Sequence, residues 1–175
     1  VSFAQETKSE ISPATETPVL QMTDSDAVGQ TVLHTFTPRQ FVVLQRLCDL
    51  IAPSASDTPG AKEAGAAAFL DFLLGVSPED RVSLYRAGLG QLDAEAQHRF
   101  KRGFDEITAA QADELLAPLR SAFVYRLTPG TLAAFLSTAK QDILTATFNS
   151  REYISVVSRR RRSAGGSGLY WEKVD

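Results

Sequence analysis

The chain has 175 residues, of which 43% are hydrophobic and 22% charged; that length suits one domain with its own core, and that composition excludes a wholly disordered or collagen-like polymer. A net charge of -3 and a pI near 5.4 leave no global positive field for nucleic acid or an anionic membrane. The single cysteine, Cys48, excludes an internal disulfide, a Cys-based zinc site and a Cys-x-x-Cys-His haem attachment, and no stretch approaches the roughly 18 consecutive apolar residues of a membrane span.

Residues 1–36 carry one Lys against five acids and few clustered apolar side chains, so they read as a disordered or partner-bound leader arm. Within it Val1–Ala4 read as the remnant of a signal peptide, because a small residue closes an apolar stretch before a polar run. The folded part, residues 37–150, begins where Thr37 caps a helix and Pro38 fills its first position. Phe41, Leu44, Cys48 and Ile51 form the apolar stripe of that helix as far as Ala52. Pro53 and the Ser54–Gly60 stretch then make a loop.

A second helix takes Ala66, Phe69, Leu70 and Leu73 as its stripe and Gly75 as its C-terminal cap. Ser77-Pro78-Glu79-Asp80 caps a third, with Val82, Tyr85, Leu89 and Leu92 inward and with Gly88 and Gly90 weakening it. Phe100, Phe104 and Ile107 continue at helical spacing, and Thr108 caps a short helix through Leu116. Pro118 restarts the chain towards Ala122 and Phe123, and Thr128-Pro129 opens the last long helix with Leu132, Phe135, Leu136, Ala139 and Ile143 inside. The predicted fold is all-α, a compact bundle of five or six helices with short connections.

Beyond Asn149-Ser150 the periodicity is lost. Residues 151–175, with six Lys+Arg against three acids, read as an irregular, basic, aromatic extension that wraps a partner. Tyr153, Arg159, Arg160, Arg161, Arg162, Tyr170 and Trp171 are the candidate interface residues, since Arg, Tyr and Trp are enriched at interface anchors. A solvated basic run is the bland alternative.

No catalytic, cofactor-binding or metal constellation emerges. His34 and His98 are far apart and belong to no ligand-spaced cluster. Gly165-Gly166-Ser167-Gly168 has neither the strand before it nor the helix after it that a phosphate cradle requires. Cys48, on an apolar stripe, reads as a small buried hydrophobe, and Asp49, Glu63, Asp71 and Asp105 read as surface or capping charges.

The order and spacing of Leu47-Cys48-Asp49-Leu50-Ile51-Ala52-Pro53, Asp57-Thr58-Pro59-Gly60-Ala61, Glu63-Ala64-Gly65 and Phe69-Leu70-Asp71 resemble the family called gluconate 2-dehydrogenase subunit 3. Leu92-Asp93, Phe100, Phe104 and the Thr108–Leu116 segment extend the likeness over about residues 37–150. The resemblance implies a small non-catalytic subunit of a periplasmic complex whose large partner is a flavin-dependent dehydrogenase of the glucose-methanol-choline type. FAD then sits in that partner, haem c in a cytochrome subunit where one accompanies it, and the substrate is a sugar, sugar acid or glycoside. It further implies support of stability, assembly and twin-arginine export of the folded flavoprotein, with membrane association only through partners. Family members often carry Gly-Gly-Asn beyond the last helix, where this chain reads Thr147-Phe148-Asn149-Ser150. The competing reading is a stand-alone helical adaptor or regulatory module that uses the basic tail.

Overall fold

The computed structural model describes residues 35–120 and 128–163. Among these, six α-helices follow one another: α1 (Pro38–Ile51), α2 (Ala66–Gly75), α3 (Glu79–Phe100), α4 (Ala109–Leu115), α5 (Leu132–Phe148) and α6 (Arg151–Ser163), with a 3-10 turn at Ala117–Arg120. The all-α expectation is met. The leader arm before Thr35, Ala122, Phe123, the Gly165–Gly168 run, Tyr170 and Trp171 lie outside the described residues.

Helix starts follow local chemistry. The Thr37 hydroxyl accepts from the Gln40 amide at 3.2 Å while the Gln40 side chain accepts from the Thr37 amide at 3.1 Å, a reciprocal box that satisfies two otherwise orphaned donors. Thr108 and Gln111 repeat it at α4. At α5 the cap is Thr131, which accepts from the Ala134 amide at 3.2 Å and donates to the Thr128 carbonyl at 2.8 Å. The expected Thr128-Pro129 start is therefore one turn early. Nor does Ser77 cap α3, because its hydroxyl turns back to the Leu73 carbonyl at 2.8 Å and Pro78 occupies the capping position.

The core lies between α1, α2, α3 and α5, with α4 closing one side. The stripe of α3 is the one expected, with Val82, Tyr85, Leu89 and Leu92 buried. In α1 the buried set is Val43, Leu44, Leu47 and Cys48, with Phe41 and Ile51 at its edges. In α2 the stripe is rotated: Ala66, Ala67, Leu70 and Leu74 face inward, Phe69 faces out, and Gly75 is still helical, with Val76 as the cap.

Gly88 does not end α3, which runs on to Phe100. A Cβ there would lie 2.1 Å from the ring of Phe135, so the missing side chain is what lets α5 press its aromatic onto α3. Lys101, with φ 58°, stops the helix, and Phe104 and Ile107 reach the core from a non-helical turn instead of a continued helix.

The region after Ser150 corrects the expected irregular extension as far as Ser163. Ser150 caps α6 by accepting from the Tyr153 amide at 3.1 Å. Tyr153, Val156 and Val157 are half-buried at helical spacing and turn one side of α6 inward. Residues 164–175 lie outside the described part of the chain.

Candidate partner interface

Two polar ties join distant parts of the body. Arg39 grips Asp93 with two bonds, of 3.0 and 2.6 Å, and reaches Asp105 at 2.8 Å. Asp93 also accepts from the Phe104 amide at 2.9 Å. Partial burial pushes the Asp93 carboxyl up, but the Arg39 fork and the Phe104 amide outweigh it and hold the group below the usual carboxylate range. This network fastens the start of α1 to the turn after α3. A Cβ at Gly103 would overlap the Arg39 guanidinium, so a larger residue there would have to displace that side chain.

The second tie is Asp71. It reads in sequence as a surface or capping charge, yet it is only 2% exposed. Its Oδ1 accepts from the amides of Thr35 and Phe36 at 3.1 and 3.0 Å, and its carbonyl accepts from the Thr35 hydroxyl at 2.8 Å. The carboxylate caps the entering chain, so its burial is compensated by donors.

The Pro53–Gly65 loop, which carries the Asp57–Ala61 and Glu63–Gly65 parts of the quoted family pattern, is built around Glu63. Its carboxylate accepts from the Ser54 hydroxyl at 2.6 Å and the Gly60 amide at 2.9 Å. Those bonds, the Ser54 hydroxyl first, hold its pKa below the ordinary value. Ala61 donates to the Ala52 carbonyl at 2.8 Å and closes the loop. A Cβ at Gly60 would sit 2.4 Å from the Ser54 nitrogen, so only glycine fits.

Helix α6 follows α5 after the two-residue break at Asn149-Ser150 and reaches this loop. The Phe148 and Tyr153 rings meet at 4.9 Å between centroids. Arg160 donates to the Asp57 carbonyl and pairs with its carboxylate at 3.4 Å. Arg159 bonds back to the Ser155 carbonyl at 3.2 Å. Of the predicted interface residues, Tyr153, Arg159, Arg160, Arg161 and Arg162 therefore share one helix. Tyr153 is half-covered by the body, Arg159 and Arg160 both bond within the chain, and Ile154 is exposed. Sequence reasoning missed Ile154, and it missed the apolar side chains exposed elsewhere on the body: Val42, Phe69, Phe72, Val76 and Phe148. The signal for α2 was present, since that helix has no polar residue except Asp71.

Other polar groups serve the interior. Tyr85 donates to Asp142 at 2.7 Å, and Arg81 pairs with the same carboxylate at 2.7 Å. Burial, then the Asp142 bond, pushes the Tyr85 phenol up, and burial does the same to the Cys48 thiol. Among the described residues no group of three or more His, Cys, Asp or Glu side chains converges as metal ligands would. None of the described helices is long and apolar enough to cross a membrane. A groove of about 600 Å³ runs between α3 and α5, lined by Ser83, Ala87 and Gln91 on one wall and Ala134, Ser137 and Thr138 on the other.

What the fold and these surfaces define is a small helical protein with several large apolar side chains exposed among its described residues. The chain matches the family model described as gluconate 2-dehydrogenase subunit 3 over residues 38–160, and it belongs to that family. No curated protein and no solved structure gives a significant match.

Proposed function

We propose that this chain is the non-catalytic small subunit of a periplasmic FAD-dependent dehydrogenase that oxidises a sugar, sugar acid or glycoside. Its role is to support the stability, assembly and twin-arginine export of the catalytic flavoprotein. The observation that carries the reading is the family match, which spans all six described helices up to Arg160. A family named as a subunit of a dehydrogenase implies a multi-subunit complex. The chain's exposed apolar side chains and the arginines of α6 are the kind of surface such a complex covers. Binding that favours the folded flavoprotein stabilises it by mass action, without any chemistry in the small subunit. The flavin belongs to the large partner, and haem c to a cytochrome subunit where the complex has one.

The test is purification of the chain from its native host at high salt, with mass and visible absorbance recorded on what accompanies it. A stable partner several times heavier and bearing a flavin spectrum is the expected result, and a haem band adds the cytochrome. A colourless monomer overturns the proposal.

A further inference from the structure

Helix α2 is built inside out. Its one charged residue, Asp71, is buried against backbone donors, while Phe69 and Phe72 are 50% and 46% exposed and the following Val76 is 74% exposed. These three positions, spaced i, i+3 and i+7, lie on one side of the helix. The opposite side, Ala66, Ala67, Leu70 and Leu74, already fills the core. A helix that is apolar all round is normally enclosed, yet here the body encloses one face only.

The surroundings say what kind of surface completes the enclosure. No outward position of α2 carries a charge, so its middle suits an uncharged, apolar hollow. At its N-terminal end the exposed Lys62 and Glu63 offset one another. Its C-terminal end runs directly into exposed Glu79 and Asp80, and the cation nearest Glu79, Arg86, stands 3.8 Å away and also donates to the Thr35 carbonyl. An apolar centre with a net acidic rim is the anatomy of a protein contact whose other side carries Lys or Arg at that rim.

We propose that the outer face of α2, centred on Phe69, Phe72 and Val76 and edged by Glu79 and Asp80, seats in an apolar hollow of the catalytic flavoprotein subunit, with basic side chains of that subunit meeting the acidic edge. The inference rests on the accessory-subunit reading and adds to it the surface that makes the contact.

Two measurements on the full-length chain in its native complex test it. In the first, Phe69→Glu with Val76→Glu is compared with the wild type for flavin recovered per chain on purification, alongside a thermal melt of each free chain. Both side chains are exposed, so the melts should agree while the flavin recovered falls about tenfold or more. In the second, a photoreactive benzoylphenylalanine replaces Phe69, and the cross-linked product is identified by mass; the expected product joins the chain to the flavoprotein. A cross-link within the chain, or to a second copy of it, overturns the proposal. So does undiminished flavin recovery by the double variant while the wild type also recovers it, and in that case the accessory reading stands. A wild type that brings down no flavoprotein removes both. If the double variant fails to fold, the cross-link decides alone.

Discussion

Between α3 and α5, Gly88 admits the Phe135 ring into direct contact with the helix backbone, Tyr85 meets that ring edge-on with centroids 5.5 Å apart, and the Tyr85 hydroxyl reaches Asp142. Along α6, by contrast, none of the side chains whose burial is described is fully buried, and the helix is held by the Phe148–Tyr153 contact and the Arg160–Asp57 pair. The first region is fixed by close packing, the second by a few contacts at a surface that water reaches. The difference teaches that the stability of the body rests mainly on the packed helices, with α6 contributing less.

The largest expected effect comes from emptying the packed region. Phe135→Ala should destabilise the fold by about 3–5 kcal/mol, because the ring's contacts are lost and the backbones around Gly88 cannot close the cavity; chemical denaturation measures it, and a loss below about 1 kcal/mol would contradict the described packing. Asp93→Asn ranks next, at about 2 kcal/mol near neutral pH, since it removes a charged acceptor shared by Arg39 and the Phe104 amide. The pH dependence has a definite sign. The folded-state value is depressed, so the stabilisation is full above the unfolded value of about 4 and is lost as pH falls through the folded value. The gap between wild type and variant, followed by melts across acid pH, should therefore narrow on acidification. The smallest effect is Arg160→Ala, about 0.5 kcal/mol or less in the global melt, with faster amide exchange confined to α6. A global loss comparable to that of Phe135→Ala would erase the distinction between the two regions.

The sequence was most legible where one face of a helix is apolar and the other is not. In α3, Arg81, Ser83 and Arg86 mark the outer side, and Val82, Tyr85, Leu89 and Leu92 could be phased against them. In α2 nearly every residue is apolar, so no polar face sets the rotation, and the sole carboxylate points inward. That is why Phe69 read as core. Two threonines three residues apart, Thr128 and Thr131, are both competent caps, and only the folded geometry selects the second. In α6 the arginine run obscured a half-apolar face at Tyr153, Val156 and Val157. The grip of Arg39 on Asp93 joins residues 54 positions apart, a pairing that no local pattern encodes. Of the candidate interface, Tyr153 and the arginines proved to share a helix, whereas the all-round apolar sequence of α2 hinted at an exposed face that only burial could locate.

Asp71 carries one more consequence. By holding Thr35 and Phe36, it moors the start of the body to its second helix, and Arg86 of α3 adds a bond to the Thr35 carbonyl. A pull on Thr35 would therefore be shared among α2, α3 and the caps of α1. The helix that takes part of this load also carries the outward Phe69 and Val76, so the exposed apolar face sits on an element fixed to the chain entry as well as to the core.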